Sequence, residues 1–397
     1  MRFTQQTRIL ILGDSPSLNG GLSRIGRDIA NGLSQMSGVC VGYMGRGGIA
    51  SSNFPYPQYT FLSNEESQWG EVFLPEVAKD FFGTGGGVIF TVWDPYRLDW
   101  FGNPQPQMQR FAPDLYQTVT NKKIRKWGYF PIDSVGPKGY LTQRAAKTIT
   151  GYERVLAYTP FGAEVIRDSI GAEVFWAPHF LDVATFQRTR KRPKLGTDQP
   201  ILGCMMTNQP RKDWGVWAET AAQMQWLDPS WGFTIRVDDP ELNWSIRGLV
   251  EDFGIRNVEM ISGGTAPDGD LAHWYSGLTA LFLPSHEGFG YPIAEALSCG
   301  TPVFFGSYGG GSYFTECLEM SGVSGTFYSF DPIAHRLDTR WNIYRPVFRG
   351  SEIGEKIVKW HDEGGEPYPN RLRKSVLHLN PDLLWPRVWE RIVRSWL

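Results

Sequence analysis

Short apolar runs of strand length, each closed by a turn residue and followed by an amphipathic helix, recur along almost the whole chain. That alternation restricts the fold more than any other feature. The first run is Arg8-Ile-Leu-Ile-Leu-Gly13, whose unbroken apolar centre suits a strand buried on both faces of a parallel sheet. The turn-rich DSPSLNGG follows, and then LSRIGRDIANGLSQM, where Leu22, Ile25, Ile29 and Leu33 recur at helical spacing. Strand-like runs at 39–44, 87–93, 154–159 and 173–178 complete a first series. A second series runs through 201–207, 232–239, 257–262, 280–285 and 301–307, with VWAETAAQMQWL and DLAHWYSGL as helices between them. Between the two series, residues 187–200 (QRTRKRPKLGTDQP) are basic, hold two prolines and show no apolar period, as an exposed linker does. The pattern predicts an α/β protein of two Rossmann-like domains facing each other across a cleft: 1–186, the linker 187–200, 201–380, and a C-terminal helix over 381–397 with Val388, Ile392 and Trp396 on its apolar stripe. In such sheets ligands bind beyond the C-terminal strand ends.

Composition narrows the classes further. The 397 residues include 39 Lys+Arg against 41 Asp+Glu, a net charge of −2, so overall charge gives no drive toward nucleic acid or anionic membrane. No apolar stretch approaches the roughly 20 residues of a membrane span. The first apolar run is too short for a signal peptide and ends at Asp14, which predicts a cytoplasmic protein. Cysteines 40, 204, 299 and 317 are far apart and lack C-x-x-C pairing, as buried free thiols would. No His/Cys cluster has metal-ligand spacing, and Asp238, Asp239 and Glu241 in VDDPELNW read as a solvated turn. Neither a metal nor a cofactor is expected.

The densest chemistry lies in ALFLPSHEGFGYPIAEALSCGTPVFFGSYGGGSYFTE, residues 280–316. A strand ends near Pro284, a tight loop holds His286-Glu287-Gly288-Phe289-Gly290, Pro292 fits the first turn of a helix, and Gly300 closes it. The amides of residues 288–292 thus meet a helix N-terminus at a strand end, a place that favours phosphate. Glu287 and Glu295 bind no anion there, but they are suited to accept hydrogen bonds from sugar hydroxyls.

The spacing of Glu287 and Glu295 between PS and CGTPV resembles the E-x7-E signature of family 4 glycosyltransferases, retaining enzymes of the GT-B fold. The resemblance covers most of the chain. ILILGDSPSLNGGLSRIGRDIANGL is similar to that family's first strand, Gly-Gly loop and helix. Pro178, Asp182 and Phe186 match a P-x-x-x-D-x-x-x-F pattern at the end of its first domain, NQPRKDW resembles the start of the second, and WPRVWERIVRSWL resembles a helix that crosses back to the first. The resemblance implies a nucleoside diphosphate sugar as donor and co-substrate. Glu295 would bind the ribose, and Glu287 the transferred sugar beside Gly288, Phe289 and Gly290. Gly20 and Gly21 would approach the diphosphate, and Lys212 would pair with it, helped by Arg211. Met206 stands where many members carry arginine. The implied reaction is same-face transfer, with a donor phosphate oxygen taking the acceptor proton.

On the acceptor side, Asp94 after GVIFTVW and Asp133 in YFPIDSVG are the candidates, Asp94 with a catalytic role. Residues 110–147 interleave aromatics with basic residues that include Lys122, Lys123, Arg125 and Lys126. Such a rim fits a polyanion, either a lipid phosphate or DNA with a hydroxymethylated base, although the near-neutral total charge favours a saccharide or small-molecule acceptor. A non-catalytic nucleotide-sugar or glycan-binding protein on the same fold is the alternative of another class.

Overall fold

A computed structural model describes residues 6–65, 67–189, 199–263, 266–284, 286–365 and 368–397. Most of the expected linker, 190–198, lies outside the described residues. The chain divides into two compact units, Met1–Phe180 with Asp382–Leu397, and Leu181–Pro381.

In the first unit the apolar runs become β1 (Thr7–Asp14), β2 (Val39–Arg46), β3 (Gln58–Phe61), β4 (Gly87–Thr91), β5 (Ile124–Phe130), β6 (Arg154–Ala157) and β7 (Phe175–Trp176). They form one parallel sheet in the order β3-β2-β1-β4-β5-β6-β7. Ile9 to Leu12 and Val88 to Phe90 have no exposed surface, which is why these runs are apolar without alternation. The sequential order reverses between β1 and β4. In the second unit β8 (Ile201–Met205), β9 (Gly232–Val237), β10 (Val258–Ser262), β11 (Ala280–Leu283), β12 (Val303–Gly306) and β13 (Ser329–Phe330) form a parallel sheet ordered β10-β9-β8-β11-β12-β13. Its order reverses between β8 and β11. A separate antiparallel hairpin, β14 (Ala334–Asp338) with β15 (Ile343–Val347), follows.

Three local departures from expectation have physical causes. Residues 181–186 belong with the second unit, because the Arg373 guanidinium donates to the carbonyls of Val183, Phe186 and Ser298 at 2.6–2.8 Å. The C-terminal helix buries Trp389, Val393 and Trp396, whereas Val388 and Ile392 are only half-buried. A wide i to i+5 turn over Trp385–Trp389 rotates the stripe by one position, and the Trp389 indole donates to the Pro178 carbonyl at 3.0 Å. The segment IRKWGYF is strand β5, despite its cations. Arg125 forks onto Glu153 at 3.0–3.1 Å, and Lys126 donates to the Phe101 carbonyl at 2.6 Å with its ammonium over the Phe101 ring. The four cysteines are free thiols, three of them buried.

Candidate functional site

The loops that leave β8 and β11 start on either side of the point where the second sheet reverses its order, where α/β sheets place ligands. The first loop carries Asn208, Arg211 and Lys212. Asn208 is fully buried. Its side chain donates to the carbonyls of Asp239 and Trp244 at 2.7 and 2.9 Å and accepts the Trp244 amide, while its own amide donates to Asp238 at 2.6 Å. The turn 238–244 is therefore a buttress for this loop rather than only a solvated surface, and Asn208 is a residue the sequence reading passed over. The chain then turns through Asp213 at φ 50°, in the left-handed region, into the helix Trp214–Leu227. That sharp turn leaves Lys212 only 6% exposed. Met206 is buried, so position 206 offers no cation to the surface.

The second loop carries Glu287. Its backbone pairs with the segment after β12: Glu287 bridges to Gly309, and the Gly310 amide donates to the Glu287 carbonyl at 2.6 Å. A Cβ at Gly310 would lie 2.2 Å from the Phe289 carbonyl, so only glycine permits this approach. Gly290, at φ 108°, turns the chain into the helix Tyr291–Ser298, with Pro292 in its first turn. The Lys212 ammonium forms an ion pair with the Glu287 carboxylate, and the Arg211 guanidinium stands 4.0 Å from the same group. The structure thus brings Arg211, Lys212, Glu287, Gly288, Phe289 and Gly290 together. Glu295 lies one turn along the helix, 2% exposed, and accepts the Tyr275 hydroxyl at 2.8 Å. Tyr275 is a further residue the sequence reading missed. It comes from the helix Asp268–Gly277, and no local spacing links it to Glu295.

In the first unit, Gly20 is the N-cap of the helix Gly21–Ser34 in extended conformation, and a Cβ there would meet only the Ser23 hydroxyl, at 3.8 Å. At the order reversal between β1 and β4, Asp14 accepts from Arg46 at 3.0 Å and from the Trp93 indole at 3.1 Å. Asp94 pairs with Arg97 at 2.7 Å. The Arg46 and Arg97 guanidiniums lie 4.4 and 4.6 Å from the centre of the Trp69 ring. Beside them is a cavity of about 320 Å³ lined by Trp69, Tyr96, Arg97, Trp100, Met108 and Arg144, among others. Asp133 lies in the loop that leaves β5. Lys122, Lys123, Arg125 and Lys126 sit instead at the start of β5, the end opposite to Asp94 and Asp133. Burial pushes the Lys126 ammonium down to about 8, and Lys123 donates to the Thr84 carbonyl at 3.2 Å. The structure does not bring these four to the candidate acceptor side.

No family model matches the chain. A D-inositol 3-phosphate glycosyltransferase of Frankia alni is 30% identical over 267 residues, which are 62% of this chain and 63% of that protein. The O-antigen chain mannosyltransferase B of Escherichia coli is 24% identical over 48% of this chain and 59% of its own length. The chain therefore spans about three-fifths of the length of these curated relatives. Among solved structures, sucrose-phosphate synthase of Thermosynechococcus elongatus superposes with a TM-score of 0.68 at 16% identity, covering 98% of this chain and 99% of that one. The Anabaena protein HepE in complex with UDP-glucose superposes with a TM-score of 0.68 at 13% identity, covering 98% of this chain and all of that one. The chain has the GT-B fold. In the described residues of this GT-B chain no helix is long and apolar enough to cross a membrane.

Proposed function

We propose that the protein is a retaining glycosyltransferase of the E-x7-E type, moving a sugar from a nucleoside diphosphate sugar to a hydroxyl of a saccharide or small molecule. The observation that carries this is the Lys212–Glu287 ion pair, set where the second sheet reverses its order and beside the N-terminus of the helix that bears Glu295. The names of the Frankia and Escherichia relatives support sugar transfer, and the UDP-glucose complex of HepE supports a nucleotide-sugar donor.

In this reading Glu295, held by Tyr275, accepts from the ribose hydroxyls. The diphosphate draws Lys212 away from Glu287 and takes Arg211 as a second cation, and Glu287 is released to accept from hydroxyls of the transferred sugar. Charge that builds on the leaving diphosphate as its bond to the sugar breaks is met by Lys212, Arg211 and the helix N-terminus. The acceptor hydroxyl attacks from the face the diphosphate leaves, and a phosphate oxygen takes its proton. These steps call on no metal or cofactor. For the acceptor, the cavity beside Asp94 offers Trp69 and Trp100 for packing, and the paired Arg97–Asp94 and Arg144–Asp99 together with Glu71 for hydrogen bonds to hydroxyl groups. Its volume suits a small molecule or one saccharide unit.

The test is incubation with a panel of nucleoside diphosphate sugars and polyol or saccharide acceptors, with the anomeric proton coupling of the product read by NMR. The proposal expects release of nucleoside diphosphate and a product with the donor's anomeric configuration. An inverted product would refute the retaining assignment, and no sugar transfer from any donor would refute the function.

A further inference from the structure

Hairpin β14–β15 is not an element of a doubly wound sheet, yet it is fastened to the loop that carries Glu287. Arg345 in β15 is 7% exposed, and its Nη1 lies 2.7 Å from His286 Nε2. A guanidinium only donates, so Nε2 is the acceptor and the imidazole carries its proton on Nδ1. Arg345 also donates to Asp338 of the neighbouring strand at 3.2 Å. The register pairs Arg345 directly with Arg336, and pairs Ile343 with Asp338 two residues further along. Directly paired residues of an antiparallel ladder share a face, so Arg336 is on the face that buries Ile343 and Arg345. Two arginines directly opposite each other repel, an arrangement that needs negative charge nearby.

Part of that charge is protein. Burial raises the Asp213 carboxyl above its ordinary range, and the Arg336 guanidinium is foremost among the influences that lower it. The register places Arg336 directly opposite Arg345, which reaches the Glu287 loop at His286, and the Arg336 charge accordingly acts on the residue that follows Lys212. The loop ends and the hairpin together bring the cations Arg211, Lys212, Arg336 and Arg345 to the carboxylates Asp213, Glu287 and Asp338. An added diphosphate is the kind of ligand such an excess of cations receives.

We propose that the hairpin is a second, cationic wall of the donor site, with Arg345 anchoring it to the Glu287 loop and Arg336 contributing a diphosphate contact. This rests on the glycosyltransferase reading above. Lysine at 336 keeps the charge but loses the fork of donors that matches a phosphate.

The test is calorimetric titration of wild type, Arg336→Gln and Arg336→Lys with UDP and UMP, and in parallel with GDP, GMP, ADP and AMP. Arg336 is exposed, so the melting temperature of both variants should stay at the wild-type value. For the base that wild type binds, Arg336→Gln should weaken the diphosphate by about tenfold or more, the scale of one charge-assisted contact, and the monophosphate by much less. Arg336→Lys should fall between. Diphosphate affinity unchanged in Arg336→Gln overturns the inference and leaves the donor site standing. Equal weakening of di- and monophosphate also overturns it, because the contact would then not be with the outer phosphate. If wild type binds none of the three diphosphates, the functional reading fails and the inference falls with it.

Discussion

Breaking the Lys212–Glu287 pair should cost stability as well as activity, although both residues lie at strand ends rather than in a core. The Lys212 side chain is 8% exposed and the Glu287 side chain 17%. Two unit charges about 4 Å apart attract by about 4 kcal/mol at an effective dielectric constant near 20, and the cost of burying them offsets a large part of that. A net coupling of about 1–3 kcal/mol is expected once this solvent contact is allowed for. Glu287→Gln leaves the Lys212 ammonium buried, with the Arg211 guanidinium close to the same point, and should cost about 2–4 kcal/mol. Lys212→Met removes the cation and leaves Glu287 still near Arg211, so it should cost less. The double variant should be more stable than the sum of the single losses predicts, by the coupling energy. Urea unfolding of the four proteins, followed by tryptophan fluorescence and far-ultraviolet circular dichroism, closes the cycle. Additivity within about 0.5 kcal/mol would mean that the two side chains do not meet, and the proposed exchange of Lys212 between Glu287 and diphosphate would lose its basis.

Other predictions concern neighbouring parts of the molecule. Glu295→Gln should weaken nucleoside diphosphate binding by about 2–4 kcal/mol in calorimetry, and Tyr275→Phe by less, since the tyrosine only holds the carboxylate; equal affinity in wild type and Glu295→Gln counts against the ribose assignment. Gly310→Ala should destabilise the protein by about 1–3 kcal/mol and lower turnover, because the added methyl meets the Phe289 carbonyl and displaces the Glu287 loop; a wild-type melting temperature would contradict this. Lys126 has a folded-state value near 8 against 10.5 for the free group, so the unfolded chain binds the proton more readily. Its burial therefore costs stability below about pH 8, and the cost fades as pH rises toward 10.5; relative to Lys126→Met, wild type should gain on the order of 2–3 kcal/mol between those limits, and a constant difference would place Lys126 in solvent.

What was legible in the sequence follows from how local each signal is. The runs at β1, β4, β8, β11 and β12 were readable because strands buried on both faces must be apolar throughout. The loop 286–290 and its helix were readable because Pro292 and Gly300 mark the two helix ends within a few residues. The roles given to Glu287 and Glu295 rest on the resemblance to family 4 glycosyltransferases as well as on that framework. The basic residues of β5 were misleading as a rim for a polyanion, because Arg125 and Lys126 bury their stems while their charged ends find Glu153 and a carbonyl, which no local pattern announces. The hairpin β14–β15 was missed because β14 is largely exposed and carries no apolar run. Tyr275, Asn208 and Arg345 were missed for a third reason: each acts on a residue far along the chain, and only the folded sheet brings the partners together.

The central claim is that the second unit binds a nucleoside diphosphate sugar through Glu295, Lys212 and Glu287. The most direct measurement is a thermal-shift screen of nucleoside diphosphate sugars against wild type and Glu295→Gln side by side, because a ligand that binds the folded state raises its melting temperature. The account predicts that at least one donor raises the melting temperature of wild type, and that the same donor at the same concentration shifts Glu295→Gln far less. A panel in which no donor shifts wild type, or in which the variant responds equally, would contradict it.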